Sequence, residues 1–330
     1  MTPVDTLRPP WRLDASAAAY KDWLHLNLFD HASGAVVLVN ASLHGSPEDA
    51  RSRACGTALL HVPDGDWIGN VEVLGLADAN VGRSSIALEQ VAVAVDGERV
   101  LGSARMPRDG LLLDVTATAS SGELDVELRL PLGPGWISWS AVPVLTVHGS
   151  AVVEGREFDL SAATAYHDHN WGRWHWGDDL GWEWGCFASA SGRAFVLSRT
   201  TDRAHRRTSR PLLVAQDGPR RAVFAGRAVK LEFDGLLEAE PRRLPGSLAA
   251  LHGDRAAPRL PARAQVQADD GADHVALEFR ARAAAQLLAA DPAERGYGFV
   301  HELVGEFSAV SRVRGVEREE TGLAVVEYVD

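Results

Sequence analysis

Val91-Ala-Val-Ala-Val-Asp96-Gly97-Glu-Arg-Val-Leu101 reads as two short strands joined by a tight turn. Asp-Gly tolerates the positive φ of a type I′ turn, so Val91–Val95 and Glu98–Leu101 are expected to pair as a hairpin. On either side the pattern repeats. Leu111–Thr118, Ser121-Gly122 and Glu123–Leu130 predict a second hairpin, in which Leu124, Val126, Leu128 and Leu130 alternate with polar residues and one face is buried. Val142–Val153, Glu154-Gly155 and Arg156–Leu160 predict a third, and Cys186–Ala190, Ser191-Gly192 and Ala194–Ser198 a fourth. Ala35–Ser42, Val229–Phe233, His274–Phe279 and Leu323–Val329 are further β-type runs. Strand after strand at this spacing argues for an all-β chain of sandwich or barrel sheets. Helix signals are few: Ala281–Ala290 is the one predicted helix, stopped by Asp291-Pro292.

At 330 residues the chain is long for one core and comfortable for two. Phe29-Asp-His-Ala-Ser-Gly-Ala-Val-Val-Leu is echoed by Phe187-Ala-Ser-Ala-Ser-Gly-Arg-Ala-Phe-Val, about half a chain later, with an aromatic-rich strand ahead of each copy (Tyr20–Trp23 and Trp182–Trp184). Chance similarity between hairpins and a tandem duplication of one β-domain both account for this. The second predicts an N-terminal domain over residues 1–165 and a C-terminal domain over 166–330, meeting near Ser161–Tyr166. The net charge of −12 argues against nucleic acid as a partner, because a phosphate backbone needs a basic face. The first residues hold no apolar run after a basic start, and no stretch approaches the roughly 18 apolar residues of a membrane span. With two distant cysteines, Cys55 and Cys186, a reducing cytoplasm without a disulfide framework is expected. Two segments read as loops. Asp202–Pro211 is basic, a solvated hairpin tip or a site for an anionic ligand group. Glu240–Pro261 is rich in proline and glycine, a variable surface connection or a lid.

Ten tryptophans are present and five fall within Trp171–Trp184. Just ahead stands Tyr166-His-Asp-His-Asn-Trp-Gly172. Read as a strand, it puts Tyr166, Asp168 and Asn170 on one face and His167, His169 and Trp171 on the other. A carboxyl among aromatic rings resists ionisation, so Asp168 is expected to titrate high and to serve as a general acid oriented by Tyr166 and Asn170. Three other readings stay open. Asp168 caps a turn beside a core of tryptophans. His167-x-His169, completed by His175, Asp178 or Asp179, holds a metal. Or Asp168 and Glu183 form a glycosidase pair with tryptophans as sugar platforms.

The same seven residues resemble the aromatic-x-Asp-His-x-Trp-Gly signature of the carotenoid 1,2-hydratases (hydroxyneurosporene synthases) and the wider AttH-like lipocalin group, which includes kievitone-hydratase-like proteins and fungal Diels–Alderase-type cyclases. Trp182-Glu183-Trp184 followed by a hairpin is similar to the family's Trp-acid-Trp hairpin, and Tyr20–Trp23 to its N-terminal aromatic strand. The resemblance implies two lipocalin-like (calycin) β-barrel domains in tandem, with Asp168 as the active acid and Tyr166 as its partner. It departs in one place. The hydratases carry His-x-Trp upstream of the motif, and here the stretch is Ile137-Ser138-Trp139.

Together these readings predict an acid-initiated hydratase or cyclase acting on a C=C bond of a hydrophobic, isoprenoid-type substrate. The expected substrate-binding residues are Trp23, Trp139, Asn170, Trp171, Trp174, Trp176, Trp182, Glu183 and Trp184. No metal is expected, because Trp171 and Trp174 are poor company for an aquo-metal and no third ligand has a firm spacing; no redox or phosphate cofactor is implied, because neither GxGxxG after a strand nor a P-loop is present. Peripheral membrane contact as a route for the substrate is left open. The rival readings are a carrier of a hydrophobic ligand and a Diels–Alderase-like pericyclase that shapes its substrate without proton transfer.

Overall fold

The computed structural model describes residues 5–9, 17–63, 65–245, 259–291 and 295–330, with backbone alone for 125–128. The chain divides into two units: Met1–Asp178 with Ala290–Tyr297, and Asp179–Ala289 with Gly298–Asp330. Each is a mostly antiparallel sheet curled into a lipocalin-like barrel. No α-helix occurs among the described residues, only short 3-10 turns.

The first unit runs β1 (Tyr20–Asp30), β2 (Ala35–His44), β3 (Arg53–His61), β4 (Trp67–Gly75), β5 (Asn80–Val81), β6 (Ser85–Ala87), β7 (Val91–Asp96), β8 (Arg99–Met106), β9 (Leu111–Ala119), β10 (Leu124–Leu132), β11 (Gly135–Val153), β12 (Arg156–Asp159) and β13 (Thr164–Arg173). Its sheet order is β4-β3-β2-β1-β13-β11-β9-β8-β7-β6-β5, with β10 and β12 on β11. The curl brings β7 across β1, β2 and β3. The core forms inside: Leu24, Leu26 and Leu28 of β1 and Val37, Val39 and Ala41 of β2 face Val91, Val93, Val115 and Ala117. Each valine or leucine taken from water contributes about 1.5–3 kcal/mol.

The second unit runs β14 (Gly181–Ser189), β15 (Arg193–Thr201), β16 (Leu212–Asp217), β17 (Arg220–Ala225), β18 (Val229–Asp234), β19 (Arg242–Leu244), β20 (Arg263–Asp269), β21 (His274–Ala290), β22 (Tyr297–Val313) and β23 (Val316–Val329). Its order is β17-β16-β15-β14-β23-β22-β21-β20-β18. This core is aromatic, with Phe187 edge-on to Phe279 and Phe307 at 6.0 and 5.7 Å. The two orders repeat one plan: a four-strand meander, its first strand paired with the last long strand of the unit. The echoed segments Phe29–Leu38 and Phe187–Val196 fall in the corresponding hairpins β1–β2 and β14–β15.

Several local expectations change. The division of the chain falls at 178/179 rather than 165/166, because β13 is hydrogen-bonded between β1 and β11 and so belongs to the first unit. Ala281–Ala290 is not a helix but the second half of β21. Helix propensity is a weak preference, and sheet pairing with β22 and β19 overrides it. Leu111–Ala119 and Leu124–Leu132 do not pair with each other. The 19-residue β11 takes β10 on its first half and β9 on its second. The β7–β8 hairpin closes with Asp96 opposite Arg99, so the loop is Gly97-Glu98. Only Gly97 has positive φ there, the pattern of a type II′ turn and not type I′. Glu154-Gly155 does have positive φ at both residues and joins β11 to β12 as expected. Most of the 240–261 segment, expected as a variable surface connection or a lid, lies outside the described residues.

Candidate functional site

β13 is the central strand of the site, and its register fixes what surrounds it. Directly opposite residues of an antiparallel pair share a face. Asp168 therefore lies beside His25 of β1 and Ala141 of β11, Asn170 beside Trp23 and Trp139, and Tyr166 beside Asn27. Tyr166 and Asn27 are fully buried, and Asp168 and His25 are 3% exposed. Gly172 closes the motif because nothing larger fits: a Cβ there would lie 2.3 Å from the Trp136 carbonyl oxygen and 2.7 Å from the Trp174 ring.

The Tyr166 hydroxyl donates to Asp168 Oδ2 at 2.9 Å, and Asn170 Nδ2 donates to Oδ1 at 2.5 Å. Both carboxyl oxygens thus accept from side chains. Burial pushes the carboxyl up to about 6, against the opposing pull of these two hydrogen bonds and of His167 and His169. On the same face, burial takes the His25 imidazole down to about 4, partly offset by its hydrogen bond to the Asn27 side chain.

From Trp23 an aromatic row continues. Trp23 meets Trp174 edge to face at 5.6 Å, Trp174 meets Trp176 at 5.8 Å, and Trp176 stacks on His44 at 6.4 Å. Its far end is pinned by a buried ion pair. Lys21 Nζ donates to the Trp174 carbonyl at 2.7 Å and to that of Ala19 at 3.2 Å, and lies 3.5 Å from Asp291. Asp291 also takes His175 Nδ1 at 2.8 Å and the Trp176 amide at 3.3 Å. Burial brings Lys21 down to about 8 despite Asp291.

The opposite face of β13 is a different environment. His169 Nε2 is 2.7 Å from Asp22, whose other oxygen accepts from the Tyr20 hydroxyl at 2.5 Å and the Arg8 amide at 2.9 Å. His167 Nδ1 donates to the His25 carbonyl at 2.8 Å, and its Nε2 is 3.4 Å from Asp5. Trp171 lies here against His169 at 4.8 Å, with Arg8 over its ring, so it does not share the face of Asp168. Among the described residues no three His, Cys, Asp or Glu side chains gather as a metal-ligand set.

Trp182, Glu183 and Trp184 belong to β14 of the second unit. Trp182 Nε1 donates to Glu327 at 2.6 Å. Glu183 points the other way. Its carboxylate is taken by Arg199 and by His205 Nδ1 at 3.0 Å, and His205 stacks on Tyr328 at 3.7 Å. The carboxylate expected as one half of a glycosidase pair is thus engaged in a structural cluster. His205, in the basic Asp202–Pro211 loop, turns inward while Arg207 bonds Asp202 and Asp179 at the surface.

Sequence reasoning passed over His25 and Asn27, although the signal was present: Leu24-His25-Leu26-Asn27-Leu28 alternates strictly, with leucines in the core and polar residues on the face of Asp168. A further feature is visible only in three dimensions. The Trp139 indole N–H is buried and finds no acceptor among the described residues.

No family model matches the chain, and no curated protein matches it. Solved structures do. An AttH-type protein of Nitrosomonas europaea superposes with a TM-score of 0.66 at 13% identity, over 99% of both chains. Kievitone hydratase of Nectria haematococca gives 0.62 at 12%, over 99% of this chain and 94% of that one. CghA, solved with Sch210972, gives 0.58 at 14%, over 95% and 89%. At such identities the likeness is one of fold, and the chain has the tandem lipocalin-like barrel architecture of these proteins.

Proposed function

We propose that this protein is an acid-initiated hydratase or cyclase of the carotenoid 1,2-hydratase kind, acting on a C=C bond of a hydrophobic isoprenoid-type substrate. One observation carries this reading. Asp168 is buried and held by two side chains, with its carboxyl raised to about 6. A carrier's structural acid would be locked by backbone amides and held low. Here about half the molecules carry the proton at pH 6 and roughly a tenth at pH 7. The Asp168 O–H protonates the alkene carbon, and the positive charge that develops is met by the negative faces of the neighbouring indoles, each worth roughly 0.5–2 kcal/mol. On this reading the apolar chain lies beside the buried row Trp23–Trp174–Trp176.

The test is incubation with neurosporene and with kievitone, followed by mass spectrometry. A gain of one water reports hydration, and a new isomer of unchanged mass reports cyclisation. Tight binding of both probes with neither converted would leave the carrier reading in place.

A further inference from the structure

We propose that His25 is the general base that takes the proton from the attacking water and returns it to Asp168, with Trp139 N–H holding that water's oxygen. This rests on Asp168 as the acid and selects the fate of the protonated substrate: capture of water.

The argument begins with register. His25 is the β1 residue directly opposite Asp168, and the two side chains leave the sheet on the same face. Such pairs have Cβ atoms about 4.5–5.5 Å apart, close enough for a proton to pass between an imidazole and a carboxylate. On the other flank, Trp139 stands opposite Asn170 on that face. Its N–H is buried without an acceptor among the described residues. An unmatched buried donor costs about 1–3 kcal/mol, so an oxygen arriving there is favoured. Imidazole on one side of β13 and indole N–H on the other give water an acceptor and a donor above the acid.

The titratable neighbours agree. β13 offers Asp168 and the Tyr166 hydroxyl on this face and His167 on the other, β2 presents the uncharged Asn40 and Ser42 on this face, and Lys21 and His44 lie four positions further along it, with Lys21 paired to Asp291. β11 presents Ala141 and Trp139. Burial keeps both His25 and Asp168 in their neutral forms at mildly acid pH, which is the pairing hydration requires. The bonds balance. Asp168 O–H breaks as the alkene C–H forms. The water C–O bond forms as its O–H proton passes to a His25 ring nitrogen. The imidazolium then gives that proton to the Asp168 carboxylate, downhill from a group titrating near 4 to one near 6. The net change is alkene plus water to alcohol.

Two experiments test this. The first needs no substrate: the His25 ring signal, assigned by its loss in His25→Gln, is followed against pH by NMR. The expected result is an imidazole neutral down to about pH 4, with a shift near pH 6 that follows Asp168 and vanishes in Asp168→Asn. A His25 signal blind to Asp168 would overturn the proposal. The second uses neurosporene or kievitone in deuterated water. In His25→Gln, hydration should fall about 10²-fold or more, while deuterium still enters the recovered alkene at a rate close to wild type. Trp139→Phe, which keeps a ring and removes the N–H, should lower hydration in the same direction. Undiminished hydration in His25→Gln, or equal loss of exchange and hydration, refutes the base. Wild-type protein that places no deuterium on carbon refutes the acid instead.

Discussion

Asp168→Asn should make the protein more stable at alkaline pH, by an amount the geometry sets. Asp168 titrates near 6 in the fold against an ordinary 3.8. Because the folded value is raised, the folded state binds more protons than the unfolded chain between those two values, and stability falls as pH rises through that window. At about 1.4 kcal/mol per pH unit, the full penalty is about 3 kcal/mol, present from about pH 7 upward. The same linkage gives about 1 kcal/mol at about pH 4.5. Asparagine removes the titration. It also disturbs the hydrogen bond from Asn170, since an amide N–H₂ meets an N–H₂ unless one side chain turns over. That loss is about 1 kcal/mol and does not vary with pH. The variant's stability relative to wild type should therefore climb by about 2 kcal/mol between about pH 4.5 and pH 8. Urea unfolding of both proteins across this range measures it. A difference that stays flat, or shrinks as pH rises, would refute the account of Asp168 as a buried, high-titrating acid.

Two further outcomes concern the same face of the sheet. Lys21→Met leaves Asp291 buried without its cation and should destabilise the chain by about 3–5 kcal/mol in urea unfolding, with Lys21→Met/Asp291→Asn recovering part of the loss; a single variant as stable as wild type would show that the pair is not buried as described. His25 and His44 titrate near 4 and near 3, below the ordinary 6.5, so the stability they confer is complete above 6.5 and is lost as pH falls toward those values. His25→Gln should flatten the acid limb of the stability profile, and an unchanged limb would contradict the buried neutral imidazole.

The fold class was legible because its signals are local. Glycine at Gly97, Gly155 and Gly192 marks turns with positive φ, and short apolar runs lie between them. The two faces of β13 were legible for the same reason: alternation alone separates Tyr166, Asp168 and Asn170 from His167, His169 and Trp171. Pairing over long distance was not. Nothing in the sequence near Asp168 says that β1, more than a hundred residues away, supplies its neighbours, so His25 and Asn27 were missed and the boundary was drawn on the wrong side of β13. Trp182–Trp184 come soon after the motif and sit in the second unit, where Glu183 bonds Arg199 and His205. Ala281–Ala290 misled because alanine favours helix in isolation, while this segment is held as a strand.

The most direct measurement is turnover of an alkene probe in deuterated water by wild-type protein and by Asp168→Asn, across the pH range. Protonation by Asp168 predicts deuterium on carbon in the wild-type product and activity that declines as pH rises through about 6. It also predicts a loss of about 10²–10⁴-fold in Asp168→Asn. A fully active Asp168→Asn, or a product with no deuterium on carbon, would contradict it.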